Sequence, residues 1–145
     1  MAFVQDRFAQ AGTALPVAAE AIYEGFLYKW SSNKLTVHTT VTDVPAAVAA
    51  YSTKDADGNA KTMTAGDKVL FYLRGCGLEV NVAMAASEAL TTGCIVYGEQ
   101  TASTDGHASI DSSNNAVALG HYYGDAQTTS ATAGTLYPIT LDIFP

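Results

Sequence analysis

The sequence predicts an all-β protein: a compact small β-barrel or sandwich of about six to eight short strands, with an extended N-terminal arm. Three observations point there. Short runs rich in Val, Ile, Leu, Tyr and Phe recur along the chain, and several alternate apolar with polar residues. Gly-, Asp- and Asn-containing turn signals separate these runs at short intervals. The chain also has the size for one core. At 145 residues and 15.1 kDa, a folded monomer exposes roughly 7,000 Å² against roughly 22,000 Å² for the extended chain.

Residues 1–34 differ from the rest. Residues 10–21 (QAGTALPVAAEA) are mostly small, and Pro16 discourages a helix before it. An aromatic cluster follows, Tyr23, Phe26, Tyr28 and Trp30, with Phe3 and Phe8 upstream. Two readings stand side by side. The segment is an N-terminal strand closing the core, or it is an arm reaching onto a neighbouring subunit. In the second case these six aromatics serve as anchors, because each buries a large area. The division expected is therefore an arm over 1–34 and a single β-barrel domain over 35–145.

From residue 35 the signals are those of strands. Residues 35–41 (LTVHTTV) mix β-branched residues with partial alternation, and 68–74 (KVLFYLR) form an apolar run with charged ends. In 78–83 (LEVNVA), Leu78, Val80 and Val82 are expected inward, with Glu79 and Asn81 outward. Residues 94–97, 107–110 and 116–119 supply further short strands, and 136–144 close the chain. Along this last run Tyr137, Ile139, Leu141 and Ile143 share one face. Pro138 places its end of the strand at an edge or bulge. Asp55-Ala-Asp-Gly-Asn59 has the composition of a hairpin loop. Residues 83–90 (AMAASEAL) are the one helix candidate, and the Ala-rich 44–51 is ambiguous.

Composition narrows the function. The hydrophobic fraction is 48%, but 25 of those residues are Ala, and the charged fraction is 14% against about 25% in ordinary soluble domains. Such a surface suits dense contact with other protein, since few charges need desolvating. Fourteen acids oppose seven bases for a net charge of −7. The five Lys and two Arg are scattered, so nucleic acid is not an expected partner. Nor is a membrane, because no apolar stretch approaches about 18 residues. MAFVQDRFAQ has no basic region followed by an apolar one, so no secretory signal is expected. Without one, Cys76 and Cys94 are expected as two free thiols, with a disulfide as the alternative if their segments pair.

The search for chemistry returns little. His38, His107 and His121 sit in no HExxH-type pairing, and Cys76 and Cys94 lack a CxxC partner. There is no GxSxG elbow and no phosphate-binding glycine loop. Asp55, Asp57 and Asn59 resemble the start of a calcium loop, but Ala60 and Gly66 stand where that loop needs Gly and Glu. No catalytic residue, cofactor or metal site is assigned, and the chain is expected not to be an enzyme.

The second half carries a resemblance. Ala65-Gly-Asp-Lys-Val69, Gly77-Leu-Glu-Val-Asn-Val-Ala83, Leu90-Thr-Thr-Gly-Cys-Ile-Val96, Ser113-Asn-Asn-Ala-Val-Ala-Leu-Gly120 and Leu141-Asp-Ile-Phe144 occur in that order. This series resembles the small β-barrel decoration, or cement, proteins of tailed-virus capsids, over roughly residues 64–144. The resemblance implies a structural virion protein, assembled in the host cytoplasm and placed on the outer surface of the expanded capsid. Its partner would be the major capsid protein, whose neighbouring subunits it would bridge as a homotrimer, resisting internal DNA pressure without a cofactor. Capsid contact is then expected from the arm, through Phe3, Phe8, Tyr23, Phe26, Tyr28 and Trp30. Trimer contact is expected near Tyr122 and Tyr123, beside the loop 124–135. Two other classes fit the composition: a tail-tube or head-fibre subunit, and a carbohydrate-binding adhesion module using exposed Tyr and Trp as a sugar platform.

Overall fold

The structure is a computed structural model and describes residues 12–99 and 105–142. Every element among them is a strand, and the twelve strands form three sheets.

Strands β1 (Gly12–Pro16), β2 (Leu27–Ser31), β3 (Lys34–Val37), β4 (Ala47–Ala49) and β5 (Lys68–Leu73) make an antiparallel sheet in the order β1-β5-β4-β2-β3. Its two ends meet. Val17 bridges to Leu35, and the Ala18 N–H donates to the Leu35 carbonyl at 2.9 Å. The sheet thus curls around its own core of Val17, Ile22, Tyr28, Leu35, Ala47, Ala49, Val69 and Phe71. Tyr28 and Phe71 meet edge to face, with ring centroids 5.2 Å apart.

Strands β6 (Glu79–Met84), β8 (Ile95–Gly98), β9 (Ala108–Ser109), β10 (Ala118–His121) and β12 (Thr135–Thr140) close a barrel in the order β10-β12-β6-β9-β8. Between them, β7 (Ala89–Leu90) and β11 (Gln127–Thr128) form a two-stranded ribbon. The barrel core holds Val80, Val82, Met84, Leu90, Val96, Leu119, Tyr122, Ile139 and Leu141. Alternation along β6 is as expected: Val80 and Val82 are buried while Glu79 and Asn81 are exposed. Pro138 pairs with Asn81 on one side, while β10 reaches β12 only at Thr140. At Pro138 the strand therefore has a free flank that needs no N–H.

Two sequence expectations change. Residues 83–90 form no helix. Ala83 and Met84 finish β6, Ser87 takes φ +56°, and the chain re-enters a strand at Ala89. The backbone bonds outward instead of to its own preceding turn: Ala85 N–H to Ala108, Ser87 N–H to Ser130, and Glu88 N–H to the Thr129 hydroxyl. Helix propensity loses here to pairing with distant strands. The expected boundary after residue 34 falls inside β3. Residues 12–34 belong to the sheet, because Val17, Ile22, Leu27 and Tyr28 bury their side chains there. The turn from β2 to β3 is Ser32-Asn33, with φ +50° and +65°, the left-handed pair that matches strand twist in a two-residue hairpin.

The two halves share a face. Strand β4 is buried on both sides: Ala47 and Ala49 enter the first core and Val48 the second. Leu27 and Tyr72 also turn toward the second core. Backbone bonds lock the seam, with Leu27 N–H to Gly106 at 2.7 Å, Gly106 N–H to His38 at 2.8 Å and Ala83 N–H to Gly25 at 2.8 Å. Gly106 needs to be Gly. Its φ is +81°, and a Cβ there would lie 2.6 Å from Phe26 and 2.9 Å from Val37.

Candidate functional site

The aromatic cluster does not act as one patch. Phe3 and Phe8 lie outside the described residues. Tyr28, expected as an anchor, is fully buried in the first core. It stands on the inner side of β2, and burial pushes its hydroxyl pKa up. Tyr23 and Trp30 are exposed, at 43% and 48%, and Phe26 is half-buried. Trp30 sits opposite Leu35 at the far end of the β2–β3 hairpin. Tyr23 and Phe26 pack together with ring centroids 5.2 Å apart and planes tilted by 40°.

Tyr23 and Phe26 border a cavity of about 300 Å³, which Glu20, Ala21, Tyr28, Val37 and Asp105 also line. The Glu20 carboxylate accepts the Val37 N–H at 2.8 Å and the Thr36 hydroxyl at 3.3 Å. Asp105 Oδ1 is buried with no hydrogen-bond partner among the described residues. His107 backs the cavity, its ring meeting Phe26 edge to face at 4.9 Å. Burial pushes the His107 pKa down, only partly opposed by Glu99 and Asp105. Neither Glu20 nor Asp105 was legible as a pair, because 85 positions separate them and no local motif joins them. Only closure of the seam through Gly106 brings residue 105 to this face.

The tyrosine pair just past β10 splits between interior and surface. Tyr122, expected at a trimer contact, is buried in the barrel. Its hydroxyl donates to the Asp125 carbonyl and accepts from Gln127 Nε2, both at 2.7 Å. Tyr123 is 51% exposed and donates to Asp142 Oδ2 at 2.7 Å. That bond raises the Tyr123 pKa, since it holds the protonated phenol. The His121 ring stacks on Tyr123 at 5.7 Å, and its Nδ1 lies 3.5 Å from Asp142 Oδ1. Tyr51, Val44, Leu70, Leu73 and Ile95 are also exposed. The run 68–74 concealed two of these, because continuous hydrophobicity does not say which face is covered.

Cys76 and Cys94 are free thiols, each half-buried against the barrel core. Asp55–Asn59 is a hairpin tip: Asp55 Oδ1 accepts the N–H groups of Asp57 and Asn59, each at 2.9 Å. Among the described residues, no three His, Cys, Asp or Glu side chains are grouped so as to hold a metal ion. What this surface offers chemically is recognition: exposed aromatic faces, and the carboxylates of Glu20 and Asp105 at one cavity.

No protein-family model matches the sequence, and no curated protein matches it. Among solved structures, the fold is similar to that of a chain in the capsid of Myoviridae phage XM1, with a TM-score of 0.58 at 15% identity. The match covers 90% of this chain and 82% of that one. At this identity the likeness is one of fold.

Proposed function

We propose that this chain is a structural protein of a tailed-phage virion that binds the outer surface of the expanded capsid and bridges neighbouring major capsid protein subunits. The observation that carries the reading is the fold shared with a chain of a phage capsid over 90% of the sequence. The surface supports it. Charged residues are 14% of the chain, and large apolar side chains stay exposed on both halves: Tyr23, Trp30 and Tyr51 on one, Ile95 and Tyr123 on the other. Apolar groups distributed around a small body suit contact with several neighbours at once. The later contacts are then effectively intramolecular, and weak ones accumulate into firm attachment. A homotrimer at a local threefold axis would repeat each contact three times. Strengthening the shell against packaged DNA requires binding alone, with no catalytic step.

The test is add-back to expanded capsids that lack the protein. Saturable co-sedimentation at a fixed copy number that is a multiple of the capsid symmetry supports the reading. Failure of well-folded protein to bind such capsids overturns it. Ring or tube assembly by the isolated protein would point to a tail or fibre role, and saturable binding in a glycan screen to an adhesion role.

A further inference from the structure

We propose that the cavity between Tyr23, Phe26, Val37, Glu20 and Asp105 is a binding pocket for a basic side chain, preferentially arginine, presented by a partner polypeptide. The inference rests on the proposed function for the identity of that partner, a shell subunit, but not for the pocket's chemistry.

The first argument is charge. Two carboxylates line one small cavity, and no cation pairs with either among the described residues. Lys29, the cation on β2, pairs with Asp43 instead. Glu20 is held by the Val37 N–H and the Thr36 hydroxyl, so its carboxylate is fixed in place. Asp105 has one oxygen buried and unbonded among the described residues. A partly buried carboxylate lining a cavity gains from a cation more than one in open water does. The second argument is shape. Tyr23 and Phe26 present tilted aromatic walls, and about 300 Å³ accommodates one long side chain. Cations over aromatic faces are attracted by the ring quadrupole. Arginine suits such a wall better than lysine, because its planar guanidinium stacks, is weakly hydrated and can reach a carboxylate through a fork of donors. The third argument concerns competition. His107 behind Phe26 is held toward its neutral form by burial, so it does not supply the missing positive charge.

The test is an NMR titration of the whole protein with N-acetyl-arginine amide, with N-acetyl-norleucine amide as the uncharged control. Saturable shifts are expected at Tyr23, Phe26, Val37 and Asp105, with an affinity in about the millimolar range for one side chain. Asp105→Asn should weaken binding about fivefold or more, and Tyr23→Ala by a similar factor, as for a partly exposed cation–π and ion-pair site. Asp105→Asn preserves shape, and Tyr23 is exposed, so both variants should keep the amide spectrum of the parent. Equal binding of norleucine, unchanged affinity in Asp105→Asn, or shifts spread over other surfaces would overturn the proposal. So would saturation by methyl glycosides in place of arginine. Because no capsid enters this titration, its failure leaves the add-back result untouched, and the reverse holds too.

Discussion

Tyr122 and Tyr123 stand side by side in sequence and do opposite things. Just past the end of β10, one ring turns into the barrel and the other to solvent, and local composition does not say which. Tyr122→Phe removes two hydrogen bonds of 2.7 Å and should cost about 1–2 kcal/mol, read as a lower midpoint in denaturant. The same assay on Tyr123→Ala should show a change under about 1 kcal/mol, since an exposed polar contact contributes little. Phe71 is fully buried against Tyr28, so Phe71→Ala should lose about 3–5 kcal/mol through the cavity it leaves. Little or no change there would mean that the first core is not packed around that pair. The same logic separates the anchor candidates. Tyr23 and Trp30 remain available to a partner, whereas Tyr28 is already committed to its own core.

At the scale of elements, the seam strand β4 and the loop after β3 matter most. His38 leaves β3 and is 1% exposed, with Nε2 3.0 Å from the Asp43 carbonyl. It packs on Gly98, where a Cβ would lie 2.5 Å from the ring. Burial pushes its pKa below the ordinary histidine value, and the nearby Lys29 adds to that, while Asp43 and Asp105 oppose it. His107 shifts the same way for the same leading reason. The unfolded chain therefore takes up protons first as pH falls through about 6.5. Stability from these groups is full above that pH and is lost below it, toward the depressed folded value. Melting temperatures measured from pH 8 to 5 should be flat and then fall, and His38→Gln should flatten the fall. An unchanged slope in that variant would remove His38 from the account. The β2–β3 turn makes a second element-scale test. Asn33 sits at φ +65°, and Asn33→Val should cost about 1–2 kcal/mol, because a β-branched residue resists that conformation. Most strands were legible because alternation and turn residues are local. Residues 83–90 were not, because their backbone partners lie at Ala108, Thr129 and Ser130.

At the scale of the molecule, two small closed or nearly closed sheets share one apolar seam. Leu27, Val48 and Tyr72 belong to the first sheet yet pack into the second core. Each half alone would expose these residues, which ties the halves together energetically. Calorimetry should therefore give a single transition, with far-UV and aromatic signals coincident. Residues 12–73 expressed alone should self-associate in sedimentation. Two resolved transitions, or a monodisperse folded fragment, would show that the seam is not obligatory. The aromatic cavity is a product of the same scale, since it needs Glu20 from one half and Asp105 from the other.

Legible from the sequence alone were the strand-rich class, the inward set on β6, the turn at Asp55–Asn59, and a low-charge acidic composition. All of these depend on periodicity, backbone preference or composition, which are local or additive. Long-range packing is what joins residues 12–34 to the sheet, buries Tyr28 and Tyr122, and brings Glu20 and Asp105 to one cavity. Those outcomes depend on which faces meet across long sequence separations. Burial there is settled by closing a shared apolar seam, not by the hydrophobicity of any one segment.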